Sequence, residues 1–522
     1  MFELTEQTDI ATGAAPGIGE VITRRLSAGG ARIEIAGVVM LLVTGCALAQ
    51  PASSLPTGRL DADNVARSLI GIQYEQWFYG RQSWKTAEAV PILGKYTTDT
   101  ATVASHYESF RQLGIDWLLI DWSNMLWAKP AWEQHTGETQ RLEEKTAVLF
   151  QTAVRLHREG KYAPKLVFMV GLQNGPPVPN GVARLNGILT WLKANYLDRP
   201  EYKDLWLYDG GKPILTILYW PPNPCAQLPK DLAAHTLHAE DWTVRWMSTQ
   251  LQDNHAEQCG MWSWMDGVIP QILTSHQGRP EEIVVTPSAF RFPREGWTAP
   301  SAIARDHGVP YLESWKAAFV YRPKFIQVHQ WNEFAGQENG HGMPKDYWGQ
   351  GPARAQPVQV QDLYGDEYNL QLSDDMEPTV LTACAYRGCG GWGYYYYNLT
   401  RAIISLYRGA TPGITVLALS GPPTTVNASV HTVDLSWAYL GKEPTSFAIE
   451  LDGKVVAPAL KGSGYKLDLS QVKHGSHHVR LTAAGVYTNF SLDPSYATQH
   501  STEKLPVQSE ISFDYGRSDA AK

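Results

Sequence analysis

Short apolar runs alternate with amphipathic stretches from about residue 65 to residue 410 of this 522-residue chain. The runs are rich in Ile, Leu, Val and aromatic residues, which is typical of buried strands. The runs that predict strands are LIGIQYEQWF (69–78), IDWLLIDWSN (115–124), PKLVFMVGLQNG (164–175), KPILTILYW (212–220), WTVRWMST (242–249), EEIVVTPSAF (281–290) and KFIQVHQWNEF (324–334).

The stretches between these runs carry a helical period. TATVASHYESFRQLG (100–114) places Val103, Tyr107 and Phe110 on one face and stops at a glycine, and LEEKTAVLFQTAVRLHREG (142–160) repeats the pattern. Apolar strands separated by helices indicate a parallel sheet covered on both faces. Seven or eight such units between residues 65 and 410 favour an α/β fold of the (β/α)8 TIM-barrel type over a doubly wound sheet.

The pattern changes after residue 413. From 413 to 515, short strands alternate apolar and polar positions and are separated by turns such as Asp452-Gly453. This pattern predicts a β-sandwich of the immunoglobulin or fibronectin type, which we interpret as an accessory domain without chemistry of its own.

Residues 1–55 have the features of an export segment. An apolar core from Ile35 to Gly45 follows an arginine flank and precedes small residues, as in a secretory signal. The stretch Val43–Cys46 is similar to a lipobox, so Cys46 is a candidate lipid anchor, and Ala47-Leu48-Ala49 is the alternative cleavage site. We expect an exported protein, either periplasmic, outer-membrane-bound or secreted.

The stretch TGAAPGIG (12–19) resembles the cofactor loop of short-chain dehydrogenases. It does not follow an apolar strand, and it runs directly into the signal core instead of a second strand. We therefore interpret it as a spurious upstream segment, and we expect no cofactor. Four cysteines remain beyond Cys46, of which Cys384 and Cys389 are the nearest pair for a disulfide. The spacing of Cys and His indicates no metal site.

Composition and charge narrow the class of ligand. The formal net charge is -8 and no long basic run is present, so nucleic acid is not an expected partner. The chain contains 19 Trp and 25 Tyr. Aromatic faces stack on the apolar C–H edges of sugar rings, although large cores also use Trp. Carbohydrate is the partner that this composition favours.

Acidic, amide and aromatic residues follow the predicted strands. In a barrel, groups at strand ends converge on one face, where two acids can perform chemistry while aromatic rings and amides bind a sugar. Glu333 is the strongest candidate because it ends a strand and has no capping or surface role. Asp116, inside an apolar run, is more simply a structural partner for Lys or Arg. The candidate binding residues are Glu75, Trp77, Trp122, Gln173, Asn174, Tyr219, Trp220, His329, Trp331, Asn332, Asp374 and Glu377.

The segments WNEF (331–334) and DDMEPT (374–379) resemble the W-N-E-W-x-E-G … E-P signature of glycoside hydrolase family 99 and its family 71-like relatives. The resemblance spans roughly residues 68 to 405 and implies a (β/α)8 barrel that cleaves glycosidic bonds. It also implies that Glu333, at the first acidic position of the signature, acts as a base on the 2-hydroxyl of the sugar. The second acidic position is occupied here by Gly336, so the general acid is not carried over.

The candidates for the general acid are Glu338, Asp375, Asp374 and Asp121, in that order. Burial or a neighbouring negative charge would raise the pKa of that acid toward the working pH. Two other hypotheses remain open: a non-catalytic glycan-binding lipoprotein, which Gly336 favours, and a polysaccharide lyase that uses Tyr or His. A dehydrogenase is disfavoured by the context of its glycine-rich stretch. A count of the acids near Glu333 would separate the glycan-binding lipoprotein from a hydrolase.

Overall fold

A computed structural model describes residues 58–84, 87, 89–126, 132–173, 178–219, 237–248, 259–291, 302–334, 373–381, 384–385, 388–389, 391–411 and 413–516. The predicted signal segment, the possible lipid anchor at Cys46 and the glycine-rich stretch lie outside these residues. Among the residues described, no helix is long and apolar enough to cross a membrane.

Eight parallel strands form the central sheet. They are β1 (Leu69–Tyr74), β2 (Trp117–Trp122), β3 (Lys165–Gln173), β4 (Lys212–Tyr219), β5 (Thr243–Ser248), β6 (Trp262–Ser263), β7 (Arg279–Val285) and β8 (Phe325–Val328). Each strand pairs with its neighbours in chain order from β1 to β6, and β8 pairs with both β1 and β7. This is the strand order of the predicted (β/α)8 barrel.

No strand ladder joins β6 to β7, which is where the circle of strands closes. A hydrogen bond of 3.2 Å from the Ser263 backbone N–H to the Glu282 carboxylate links the two strands instead. The apolar pattern missed β6, because this strand is only two residues long and its neighbours do not form an apolar run.

Within the described residues, five α-helices accompany the sheet. They are α1 (Thr100–Leu113), α2 (Gly137–Arg158), α3 (Gly181–Leu192), α4 (Val309–Tyr321) and α5 (Tyr395–Tyr407). Helix α1 has the predicted signals at both ends: the Asp99 carboxylate accepts from the N–H groups of Ala101 and Thr102, and Gly114 ends the helix with φ 82°. Val103, Tyr107 and Phe110 are fully buried, so the predicted apolar face of α1 is confirmed.

Shorter elements join the main ones. A π-helical turn, Lys193–Leu197, extends α3, and short 3-10 helices occupy Ala62–Asn64, Arg81–Trp84, Trp132–Gln134, Pro200–Leu205 and Asp306–Gly308. Two- and three-residue strands lie at Leu60–Asp61, Leu207–Asp209, Thr274–His276, Ala289–Phe290, Ala302–Ala304, Cys384–Ala385 and Gly388–Cys389.

The interior of the barrel is apolar near the amino ends of the strands and polar near their carboxyl ends. Leu69, Trp117, Val167, Ile214 and Phe325 belong to one buried cluster inside the sheet. Farther along the same strands, the interior positions carry buried amide, carboxyl and imidazole groups. The packed apolar interior at the amino ends provides rigid support for the polar groups at the carboxyl ends.

The C-terminal residues form two antiparallel-rich sheets around a common core. The three-stranded sheet contains β9 (Thr415–Ser420), β11 (Thr432–Gly441) and β14 (Gly464–Asp468). The five-stranded sheet contains β10 (Thr425–Val426), β12 (Ser446–Leu451), β13 (Lys454–Leu460), β15 (Gly475–Thr488) and β16 (Leu505–Tyr515). Buried side chains from both sheets pack in one cluster, as expected for a β-sandwich.

Candidate active site at the carboxyl ends of the barrel strands

Glu333 lies five residues beyond the end of β8, on a chain segment held in place by backbone contacts. Its side chain is half-buried, and the Gln330 Nε2 group donates a hydrogen bond of 2.5 Å to Glu333 Oε2. The backbone N–H groups of Glu333 and Phe334 donate to the Asp375 carboxylate, at 2.5 and 3.1 Å. These contacts fix both the main chain and the carboxylate of Glu333.

Asp375 is a positioning residue in this arrangement. Besides the two backbone N–H groups, its carboxylate accepts a hydrogen bond of 2.7 Å from the Ser373 hydroxyl. Arg305 holds the same segment by donating to the carbonyl oxygens of Ser373 and Asp375, both at 2.6 Å. Because three donors already bind the Asp375 carboxylate, its oxygens are not directed at a substrate. The geometry therefore does not favour Asp375 as the general acid.

Glu75 is the first residue after β1, and Asp121 is the second-last residue of β2. Their side chains meet on the same face of the barrel as Glu333. Both are buried, with 3% and 8% of their surface exposed. The two carboxyl groups hydrogen-bond to each other. Gln73 Nε2 donates to both of them, at 3.1 Å to Glu75 and 3.0 Å to Asp121, and the Ser123 N–H donates to Asp121 at 2.6 Å.

A glycine makes this approach possible. A Cβ atom at Gly171 in β3 would lie 1.7 Å from the Ser123 carbonyl oxygen, so only glycine permits this packing. The Ser123 backbone can therefore turn over β3 and present its N–H to Asp121.

The two acids of this pair differ in their environment. Burial raises the pKa of Glu75 well above its ordinary value, and the negative charges of Asp121 and Glu333 add to the effect. Burial also raises the pKa of Asp121, but hydrogen bonds from Ser123, Glu75 and Gln73 oppose it. Glu75 is therefore the member of the pair that retains a proton, and it donates that proton to Asp121.

Burial raises the pKa of Glu333 to about 8, and the charges of Asp375, Asp121 and Asp374 contribute, while the hydrogen bond from Gln330 opposes the shift. Burial likewise raises the pKa of Asp374 to about 7, against hydrogen bonds from Ser288. A cluster of such carboxyl groups exchanges protons near neutral pH, as acid–base catalysis requires.

His329, the first residue after β8, is almost fully buried beside this cluster. Its Nδ1 atom lies 2.8 Å from Gln73 Oε1, and its Nε2 atom lies 3.6 Å from Asp374 Oδ2. The Trp264 ring packs edge-on against the imidazole at 5.0 Å. The imidazole is therefore held in the wall of the site between Gln73, Asp374 and Trp264.

Asn332 and Glu377 lie behind the cluster and support it. Asn332 exchanges two hydrogen bonds of 3.0 Å with the backbone of Glu75, and its Nδ2 group also donates to the Tyr96 hydroxyl. Tyr96 donates to Glu377 at 2.7 Å, and His106 lies 3.1 Å from the same carboxylate. Both predicted binding residues are buried in this network, so we reassign them to positioning Glu75.

Two of the predicted aromatic binding residues are core residues. Trp331 is 1% exposed and packs against Phe110, and Trp122 is fully buried, with its indole N–H bonded to Thr146. Neither ring has a free face for a sugar, which corrects the expectation for both. Trp77 is half-buried beside the site, and Tyr219, at the end of β4, is 5% exposed, so these two remain candidates.

Several predicted residues lie outside the described part of the chain. They are Glu338, Asn174, Trp220 and the side chain of Gln173, together with Gly336. Their roles stay predictions. Among the residues described, no group of three or more His, Cys, Asp or Glu is arranged to hold a metal ion.

Sequence reasoning missed the amide and cationic groups that organise the acids. Gln73, Gln330 and Ser288 lie in predicted strands and Arg305 lies between two of them, yet none belongs to a motif that distinguishes it from other polar residues. The one available signal was the alternation in LIGIQYEQWF, which places Gln73 on the interior face of β1.

Comparisons with known proteins show distant similarity. No family model and no curated protein matches the chain. The GH99 endo-alpha-mannosidase from Bacteroides thetaiotaomicron is 16% identical, with a TM-score of 0.42, over 65% of this chain and 98% of that chain. The endo-beta-1,4-mannanase from Thermotoga petrophila is 10% identical, with a TM-score of 0.34, over 87% of this chain and 99% of that chain. Similarity this low leaves the function to be argued from the geometry of the site.

Proposed function

We propose that the chain is a glycoside hydrolase whose site lies at the carboxyl ends of the barrel strands. One observation carries this proposal: Glu333 shares a face of the barrel with the proton-sharing pair Glu75 and Asp121, and its charge helps to raise the pKa of Glu75. Glycosidic bond cleavage needs one ionised and one protonated carboxyl group on opposite sides of the bond.

In the proposed mechanism, Glu333 is the base- or nucleophile-type carboxylate. It is the most accessible acid of the cluster, and the N–H of Gln330 favours its ionised form. Glu75 is the proton donor in place of Asp375, Asp374 and Asp121, while the fourth candidate expected from the sequence, Glu338, lies outside the described residues.

As an oxygen bonds to the anomeric carbon, either that of the Glu333 carboxylate or that of a sugar 2-hydroxyl deprotonated by Glu333, the bond to the leaving oxygen breaks and the Glu75 proton moves to that oxygen. Gln73 stabilises the negative charge left on Glu75. Water then adds to the anomeric carbon, gives its proton to Glu75 and displaces the first oxygen, which restores Glu333.

The main rival is a non-catalytic glycan-binding protein of the same fold. Such a protein would need the aromatic cleft but not a buried pair of acids that share a proton. The cost of burying Glu75 and Asp121 beside neutral donors is easier to explain by catalysis than by binding. A polysaccharide lyase stays an alternative that the product analysis described below distinguishes.

We also propose a domain organisation, a location and a partner for the protein. Residues 65–410 would form the (β/α)8 catalytic barrel, and residues 413–515 an immunoglobulin- or fibronectin-like accessory domain. Cys259 is disulfide-bonded, which supports export to an oxidising compartment because disulfides are rare in reducing ones. A lipid on Cys46 would be the protein's link to a membrane, and carbohydrate its partner.

The experiment is a screen of plant, algal and bacterial polysaccharides with the purified protein and with Glu333→Gln. Hydrolysis by the wild type that is absent in the variant supports the proposal, whereas equal turnover would remove Glu333 from the mechanism. An unsaturated product would identify a lyase, and binding without turnover on any polysaccharide would favour the glycan-binding protein.

A further inference from the structure

Gln73 occupies the centre of the acid cluster and is fully buried. Its Nε2 group donates to Glu75 Oε1 at 3.1 Å and to Asp121 Oδ2 at 3.0 Å. Its Oε1 atom lies 2.8 Å from His329 Nδ1. One amide thus contacts side chains that lie on or just after three different strands, β1, β2 and β8.

The orientation of this amide is determined by its neighbours. Asp121 is the ionised member of the pair and can only accept hydrogen bonds, and the proton of Glu75 is directed at Asp121, so the Gln73 NH2 group must face the accepting oxygens of both acids. The amide oxygen then accepts the N–H of His329 Nδ1, which leaves Nε2 directed toward Asp374 at 3.6 Å. If His329 did not donate at this position, the amide would lose the partner that keeps its oxygen away from the acids.

We propose that Gln73, oriented by His329, is a positioning residue that sets how tightly Glu75 and Asp121 share their proton. This inference rests on the proposed function, in which Glu75 is the proton donor. Gln73 contacts neither substrate nor the reacting atoms in this account, and it acts only through the two acids.

The charges around the pair explain why one amide has this influence. Glu333, which follows β8, faces the pair, and its charge raises the pKa of Glu75, whereas His329 reaches the pair through Gln73. Asp374 and Asp375 act on Glu333, and Arg305 contacts the backbone of Ser373 and Asp375. Among the described residues, the donors to the two carboxyl groups include Gln73, the N–H and hydroxyl groups of Ser123 and the proton that the acids share.

The experiment compares Gln73→Leu with a matched control, Gln76→Leu. Gln76 is also a fully buried glutamine, but its Nε2 group donates at 2.9 Å to the backbone oxygen of Asp121 instead of its carboxylate. Each variant removes a buried amide of the same size, so general effects on packing are similar. Only Gln73→Leu removes a donor from the acid pair.

The readout is the pH dependence of kcat/KM. Loss of the Gln73 donor disfavours ionisation of the pair, so the alkaline limb of the profile should move about one pH unit higher in Gln73→Leu and stay in place in Gln76→Leu. A lower kcat at every pH with an unmoved alkaline limb would overturn the proposal. His329→Phe, which removes the donor to Gln73 but keeps a ring, should shift the limb in the same direction by a smaller amount, and it serves if Gln73→Leu does not fold.

The midpoint of thermal unfolding, measured from pH 5 to pH 9, tests the inference without any turnover. Gln73→Leu should lose stability more steeply than Gln76→Leu as the pH rises, because ionising the buried pair costs more without its donor. Parallel curves for the two variants would overturn the inference even in a fully active hydrolase. The protein could also hydrolyse no glycan while the melting temperatures of the two variants diverge with pH. That result would support the role of Gln73 in the acid pair and would contradict the proposed function.

Discussion

The two ends of the barrel bury carboxylates in opposite ways. At the amino end, Asp116 is 1% exposed and accepts hydrogen bonds of 2.7 and 2.8 Å from Arg67, and Arg408 adds another at 2.7 Å. Asp209 is bound in the same way by Arg245 and Lys324. At the carboxyl end, the acid cluster is held by amides, hydroxyls and backbone N–H groups.

This difference shows how one barrel can hold structural carboxylates at one end and candidate catalytic carboxyl groups at the other. A cation beside a carboxylate favours its ionised form, which suits a structural role; at Asp209 the cations act against the rise in pKa that burial causes. The donors to Glu75 and Glu333 are neutral, and burial raises the pKa values of both. The carboxyl end can therefore hold and release protons near neutral pH.

The largest effect should come from Glu333→Gln. The variant keeps the shape of the side chain but loses the ionisable group, so kcat/KM on the polysaccharide that the wild type hydrolyses should fall about 10³-fold. Circular dichroism and the melting temperature should show a folded protein. A fall in kcat/KM of less than about tenfold would contradict the role of Glu333 in catalysis. The acids at the carboxyl end would then be structural, like those at the amino end.

The matching change at the amino end is Asp116→Asn. It leaves Arg67 and Arg408 without their buried anion, and breaking such a pair should lower the free energy of unfolding by about 3 kcal/mol. Denaturant titration measures this loss. Below the unfolding transition, kcat/KM should stay within about twofold of the wild type; a large loss of activity in the folded variant would remove the separation between the two ends.

The third prediction concerns the acid limb of the pH profile. Glu333 must lose its proton to act as a base, and its pKa in the free enzyme is about 8. The value of kcat/KM should therefore rise with pH up to about 8. Gln330→Leu removes the donor that favours the ionised form, so it should move this limb to higher pH. A limb near pH 4.5 would show that Glu333 titrates like an exposed glutamate.

The smallest effect is the pH dependence of stability in Glu75→Gln. Because the pKa of Glu75 is raised in the folded protein, the folded state binds this proton more tightly than the unfolded state does. The wild type should therefore lose stability as the pH rises from the ordinary glutamate value toward the raised one. Relative to the wild type, Glu75→Gln should gain melting temperature between pH 5 and pH 9 in calorimetry. A difference that does not change with pH would contradict the raised pKa.

Much of the fold could be predicted from the sequence. Apolar runs such as KPILTILYW and the amphipathic face of α1 depend on local periodicity, and the structural role of Asp116 followed from its position inside an apolar run. The two-residue strand β6 could not be found in this way, because its pairing depends on β5 and on the contact between Ser263 and Glu282.

The site was less accessible to such reasoning. Strand-end position placed Glu333, Glu75 and Asp121 on one face, but it could not show which of them keeps a proton. That property depends on burial and on donors distant in sequence, such as Ser288 beside Asp374. The same limit explains Trp331 and Trp122, because the sequence of a strand end does not show whether a ring faces the cleft or the surrounding helices.

The central claim is tested most directly by the dependence of turnover on the leaving group. Wild type, Glu75→Gln and Glu333→Gln would be assayed on the natural glycan and on an aryl glycoside of the same sugar with a good leaving group. If Glu75 is the proton donor, Glu75→Gln should lose activity on the glycan but retain most of it on the aryl glycoside, whereas Glu333→Gln should lose both. Equal losses on both substrates in Glu75→Gln would contradict its role as the acid.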